Sequence, residues 1–216
     1  MVIVDLSHPV TTGMPVYPGD PSVVISPALT VGADGVAVAR LDMGTHTGTH
    51  LDAPAHSIDG GRTVDEISLE LLVGPARVLR VGPSTAAAGE SITLDRLAAA
   101  IPDHLPPIVC VATGWDVHFG GPAAEAHPSI SLELARVLWE RGARVLGIDC
   151  FSPDPTSGDD AAAGMPVHEF WLGGDGVIIE NLARLTSLPE VVEMSLLPLH
   201  LAQGDGSPIR AVAFVE

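Results

Sequence analysis

Three histidines and an aspartate crowd the segment Gly44-Thr-His-Thr-Gly-Thr-His-Leu-Asp-Ala-Pro-Ala-His56. His46, His50, Asp52 and His56 fall within eleven residues, although the whole chain carries only nine histidines. Two imidazoles and a carboxylate suit a borderline divalent ion and leave a coordination position open, as catalytic zinc sites do. An extended strand puts the even-numbered residues on one face, but its rise of about 3.3 Å per residue leaves His46 and His50 roughly 13 Å apart. A helix brings positions i and i+4 within about 6 Å, yet it turns Asp52 about 200° away from His50. A bent segment is required. Gly44, Gly48 and Pro54 supply the permitted dihedrals and the stop. Thr45, Thr47 and Thr49 are placed to hydrogen-bond the outer ring N–H groups and the carboxylate oxygens.

The pattern His46-x-Gly48-Thr49-His50-x-Asp52-x-Pro54-x-His56 resembles the HxGTHxDxPxH signature of the cyclase-like metal-dependent hydrolases, a family that includes bacterial kynurenine formamidases and isatin hydrolases. Asp5-Leu-Ser7, Val16-Tyr-Pro-Gly-Asp20, Thr113-Gly-Trp-Asp116, Gly147-Ile-Asp149, His168 with Glu180, and Gly206-Ser-Pro-Ile-Arg210 follow in family order. The resemblance implies that His46, His50 and Asp52 hold a first metal. It implies a second ion completed by His168 and Glu180, with Asp52 and Glu180 bridging. A bridging carboxylate needs two free oxygens, which Asp and Glu possess and His lacks. His56 is then the proton-transfer residue, a task suited to a group that titrates near neutrality unaided. Tyr17 stands where the kynurenine formamidases carry a tryptophan that stacks on the substrate ring, so it is expected to bind substrate.

The resemblance also implies a swivelling β/β/α fold, zinc or manganese at one or two ions per subunit, and a homodimer or homotetramer. The expected activity is hydrolysis of a small aryl formamide or lactam, with N-formylkynurenine as the leading candidate. A bound divalent ion lowers the pKa of water from 15.7 to about 7, enough for hydroxide to attack an amide carbonyl. His56 would take the water proton and pass it to the departing nitrogen. A ring-closing or dehydrating enzyme of secondary metabolism using the same metal, and a metal-binding protein without catalysis, remain as alternatives.

Other residues carry weaker signals. Trp115, His118 and Phe119 are candidates either to line the pocket or to pack ordinarily. His104 and His127, beside prolines, read as surface residues, and His8 and His200 as structural. Asp149, Ser152 and Asp154 read as turn chemistry after a buried strand. Cys110 and Cys150 sit in apolar runs and read as buried free thiols. The sequence has no G-x-S-x-G elbow, P-loop or strand-linked G-x-G-x-x-G, which removes support for a serine hydrolase or nucleotide chemistry.

The elements that must position these groups come from a chain of 216 residues, read as one domain over 1–216. A hydrophobic fraction of 46% excludes disorder, and aromatics at 4% leave the core to Val, Leu, Ile and Ala. The formal charge of −17 repels phosphate backbones and anionic lipid, arguing against nucleic acid and membrane partners. No basic leader and no long apolar run is visible, so a cytoplasmic protein acting on a small molecule is expected. Val2–Asp5, Val23–Ser26, Val36–Asp42, Arg77–Val81, Ile108–Thr113, Arg144–Asp149, Val177–Ile179, Val191–Leu199 and Ala211–Val215 read as strands. Helical periodicity appears only at Val64–Leu72, with a capping box at Thr63 and Glu66, and at Leu94–Ala100 and Leu132–Arg141. Ser84–Glu90 and Ser152–Gly164 read as loops. The expected class is mixed α/β, with a β-barrel-like core and few flanking helices.

Overall fold

The computed structural model describes residues 1–82, 85–157 and 164–216. Ser84 of the first expected loop and residues 158–163 of the second lie outside the described residues. In chain order, β1 (Val2–Asp5) precedes a hairpin of β2 (Val24–Leu29) and β3 (Val38–Asp42), with the short α1 (Val31–Asp34) between them. Then come β4 (His50–Asp52), α2 (Leu69–Leu72), β5 (Val73–Arg80), β6 (Ser91–Ile92), β7 (Ile108–Ala112) and β8 (Ser129–Ile130). The chain continues through α3 (Leu132–Glu140), β9 (Val145–Ile148), α4 (Pro166–Gly173), β10 (Val177–Glu180), β11 (Val191–Ser195), β12 (Gly206–Pro208) and β13 (Val212–Val215).

Nine of the strands form a curled half-barrel sheet in the order β1-β13-β11-β5-β7-β9-β10-β4-β12. The central β5, β7, β9 and β10 run parallel, and the flanking pairs are antiparallel. The mixed α/β architecture expected from the sequence is the one observed. β7, Ile-Val-Cys-Val-Ala, is apolar at every position because both of its faces are covered. Its Ile108, Cys110 and Ala112 face one core with Leu51, Val145 and Ile179. Val109 and Val111 face the other, with Leu146, Ile148, Ile178 and the apolar stripes of α3 and α4.

Strand alternation places the polar cluster. Leu51 of β4 and Ile179 of β10 point into the first core, so His50, Asp52 and Glu180 point to the second face, under α4. β4 pairs with β10 in the register Ile178↔Asp52 and Glu180↔His50. Glu180 is the last residue of β10, and Asp149 follows the end of β9, so charged groups collect at the carboxyl ends of the parallel strands. Open α/β sheets bind ligands there.

Two expected helices are shorter than their periodicity suggests. The Val64–Leu72 run is a single 3-10 turn, Val64–Glu66, followed by extended Ile67 and Ser68 and then α2. The capping box at Thr63 and Glu66 is present. Val64, Ile67 and Leu72 all enter one core across this break. The Leu94–Ala100 run is likewise one turn, Leu94–Arg96. Leu97 leaves the helix to bridge Val81, and Ala98 N–H donates to the Arg80 carbonyl at 2.8 Å.

Candidate metal centre and active site

The bend demanded by the His46–Asp52 spacing is made at Gly48, whose φ is +64°. That left-handed conformation suits glycine. It ends the loop carrying His46 and starts β4, so the two imidazoles meet one carboxylate from different directions. His46 Nδ1 lies 2.6 Å from Asp52 Oδ1, and His50 Nε2 lies 3.2 Å from the same oxygen. Glu180 Oε2 lies 3.3 Å from His50 Nε2 across the strand pair. From α4, His168 Nε2 reaches to 3.3 Å from Glu180 Oε1 and 3.8 Å from Asp52 Oδ2. Among the described residues, candidate ligand atoms form three groups, His46/His50/Asp52, Asp52/His168/Glu180 and His46/His56/Asp205, in each of which every atom lies within 4.8 Å of the others. Asp52 belongs to the first two.

Charge balance favours a cation here. Asp52 Oδ2 and Glu180 Oε1 are buried and have no hydrogen-bond partner among the described residues. Burial opposes a charge on His50, yet the Asp52 and then Glu180 carboxylates outweigh it and hold its pKa well above the ordinary imidazole value. His168 is raised in the same way, against burial, by Asp154, Asp52 and Glu180. Burial likewise opposes ionisation of Asp52, but the facing imidazoles, His50 foremost, keep its pKa well below the usual range. Without an ion, protonated imidazoles neutralise these carboxylates, and a divalent ion would replace those protons. The N/O donor set fits zinc, manganese and similar borderline ions.

The outer ring nitrogens are held elsewhere than expected. None of the three threonines bonds a ring. His50 Nδ1–H donates to the Gly48 carbonyl at 2.8 Å. Thr49 Oγ instead donates to the Asn181 carbonyl and accepts the His8 N–H, while Thr45 Oγ donates to Asp205. Thr47 is buried. His168 Nδ1–H donates to Asp154 Oδ2 at 2.8 Å. Asp154 is therefore more than a turn residue: it also accepts the N–H groups of Val167 and His168, capping α4 from a distance. Asp205, which the sequence reading missed, accepts His46 Nε2–H at 2.9 Å.

His56 stands at the mouth, in the 3-10 turn Pro54–His56. Its ring centroid is 3.9 Å from that of His46 and 5.8 Å from that of His168. Burial lowers its pKa, so it is neutral at neutral pH. A cleft of about 200 Å³ opens above these groups, walled in part by Tyr17, Pro18, Phe151 and Met165. Tyr17 is thus at the cleft. Trp115 and Phe119 border a separate small crevice behind Phe151, and His118 packs on Trp115 at 4.4 Å. His127 is buried rather than superficial, its Nε2 2.6 Å from Thr156 Oγ. His104 and His200 are exposed, whereas His8 is half-buried and stacks on Phe119 at 3.8 Å. Cys110 and Cys150 are free and buried.

The Cyclase family model matches residues 4–155. The kynurenine formamidase of Geobacillus thermodenitrificans is 33% identical over 209 residues, covering 96% of this chain and 95% of its own. Isatin hydrolase A from Labrenzia aggregata, solved with benzyl benzoate bound, superposes with a TM-score of 0.84 at 27% identity, over 99% of this chain and 93% of that one. A predicted metal-dependent hydrolase from Bacillus stearothermophilus superposes with a TM-score of 0.77 at 30% identity, over 98% and 97%. With its signature histidines gathered around Asp52 and this similarity running along nearly its whole length, the chain belongs to the cyclase family of metal-dependent hydrolases.

Proposed function

We propose that this chain is a metal-dependent amide hydrolase that cleaves a small aryl formamide or lactam, with N-formylkynurenine as the first substrate to test. The single observation that carries the reading is the position of Asp52. Its carboxylate sits between two imidazole sets, with one oxygen unpartnered, below a neutral histidine that faces an open cleft. His46, His50 and Asp52 would hold one ion, and Asp52, His168 and Glu180 a second, with zinc or manganese as the metal. When bound, the ion supplies Lewis acidity toward the carbonyl oxygen and lowers the pKa of water.

The chain's own residues do the rest. His56 Nδ1 lies 3.8 Å from Asp205 Oδ2, beyond hydrogen-bond distance, so the ring is free to handle a proton. It takes a proton from the attacking water and delivers it to the leaving nitrogen, so formate and an aryl amine depart from a formamide. Tyr17 offers a ring face for the aryl group, and Phe151 and Met165 keep that side of the cleft apolar. The similarity to a kynurenine formamidase supports the formamide, and the similarity to isatin hydrolase supports the lactam.

The protein is further read as one domain over 1–216, cytoplasmic, and a homodimer or homotetramer. No helix among the described residues is long and apolar enough to cross a membrane. The hairpin around β2 and β3 exposes Val24, Leu29, Val31, Val36, Val38 and Leu41, an apolar surface that a second copy would cover. Metal analysis of protein purified without chelator, combined with formate release from N-formylkynurenine and ring opening of isatin, tests the activity. Bound metal with turnover of either substrate supports it. Bound metal with no hydrolysis across a panel of formamides and lactams overturns it.

A further inference from the structure

We infer that Asp205 and Gly206 together form the seat of His46 and decide which of its ring nitrogens faces the cation. The inference rests on the proposed metal site and adds to it residues from the far end of the chain. Two independent observations carry it. The first is the hydrogen bonding of Asp205. Its Oδ2 lies 2.9 Å from His46 Nε2, and its Oδ1 accepts the Thr45 hydroxyl at 3.0 Å, so both carboxylate oxygens are engaged. Both ring nitrogens of His46 face carboxylates, Nδ1 at 2.6 Å from Asp52 and Nε2 at 2.9 Å from Asp205, so an ion bound beside Asp52 would replace the Nδ1 proton while Nε2–H keeps donating to Asp205. An outer carboxylate on a ligand histidine fixes both tautomer and ring orientation.

The second observation is steric. A Cβ placed on Gly206 would lie 2.5 Å from His46 Cε1, 2.9 Å from Nε2 and 2.9 Å from the Leu51 carbonyl oxygen. The ring of His46 occupies the space that any side chain at position 206 would fill. Gly206 pairs with Asp52 across the β12–β4 ladder, so the strand that seats His46 is backbone-paired with the one that carries the shared carboxylate. The backbone carbonyl of Asp205 also accepts Ala53 N–H at 2.9 Å. Side-chain substitutions at Asp205 leave that bond intact.

His168 has a different orienting group, Asp154, on the other side of the centre. Asp205 therefore acts on one half of the site. As a positioning residue it should alter the affinity of the His46/His50/Asp52 half and leave the Asp52/His168/Glu180 half as it was. This asymmetry separates it from a residue that merely keeps the loop folded.

The test is zinc titration of the full chain against a competing chromophoric chelator, with thermal unfolding of the metal-free protein measured beside it. Asp205→Ala should weaken the zinc held by the His46 half by about 10- to 100-fold. Asp205→Asn, which keeps an acceptor oxygen for Nε2–H, should recover part of that loss, and Gly206→Ala should reproduce it by displacing the ring. Metal-free unfolding of Asp205→Asn should match the parent. Equal zinc affinity in the parent and Asp205→Ala overturns this inference while leaving the metal site standing, as does a loss spread evenly over both halves. A parent chain that binds no divalent ion overturns the metal site and this inference together.

Discussion

Glu180 faces His50 directly across the β4–β10 pair, with Oε2 3.3 Å from Nε2, while its other oxygen turns toward His168 and has no hydrogen-bond donor. One carboxylate thus touches both histidine sets. Glu180→Gln keeps the shape but gives the cluster an amide that binds a divalent ion poorly. We expect this variant to lose the ion held with His168 and to fall in turnover by about 100-fold or more, since a cation contributes several kcal/mol of transition-state stabilisation. Elemental analysis beside steady-state kinetics checks it. Full metal content in the variant would remove Glu180 from the ligand set.

His56 differs from the other clustered histidines because, among the described residues, no carboxylate lies within hydrogen-bond distance of its ring nitrogens. The nearest of these, Asp205 Oδ2, is 3.8 Å away. His56→Ala should therefore keep its metal and lose turnover by about 10²- to 10⁴-fold, the usual worth of a positioned acid–base group. Unchanged kcat in a metal-loaded His56→Ala protein would assign the proton transfer elsewhere.

The legibility of the site followed the distance over which its parts act. His46, His50, Asp52 and His56 could be read because residue type and spacing already demanded a bend, and Gly48 provides it. His168 and Glu180 could be read only from their order along the chain, since nothing in a twelve-residue spacing says that α4 lies over β10. Asp154 and Asp205 were opaque. Their partners are 14 and 159 residues away, and local turn chemistry explains an aspartate in a loop equally well. Among the elements, α3 was legible through its helical periodicity, and in the structure Ser131 caps it by accepting Leu134 N–H. α4 was not, because Val167, Phe170, Trp171 and Leu172 crowd it with apolar side chains and its cap comes from Asp154, outside the helix. The available signal was Pro166 at its first position, where a missing N–H costs nothing.

Asp154 binds helix and ligand in one side chain, so its removal should appear in two measurements. Asp154→Ala leaves the N–H groups of Val167 and His168 and the His168 ring N–H without an acceptor. Each buried donor left unpaired costs about 1–3 kcal/mol, so a loss of about 3 kcal/mol or more in urea unfolding is expected. Asp154→Asn retains one acceptor oxygen and should lose less, with weakened metal binding confined to the His168 half. Stability in Asp154→Ala equal to the parent would show that α4 does not depend on this cap.

Asp149 makes a stability prediction that depends on pH and is independent of the metal. Its carboxylate is buried and accepts Thr113 N–H, Thr113 Oγ–H and Gly114 N–H at 2.9, 2.6 and 2.8 Å. Burial nevertheless prevails over these three donors and pushes its pKa up to about 6. The unfolded carboxyl titrates near 3.9, so between about pH 4 and pH 6 the native state holds the proton that the unfolded chain has released. Stability from this group is fully present below about pH 4 and is lost as pH rises through 6. A difference of about two pKa units is worth about 3 kcal/mol. Asp149→Asn cannot titrate, so every other acid in the chain contributes alike to parent and variant. The stability of the parent minus that of the variant should fall by about 3 kcal/mol from pH 4 to pH 7 and stay level above. Urea unfolding of both proteins across that range measures it, and a difference that does not change with pH would mean that the three donors, rather than burial, set the charge on Asp149.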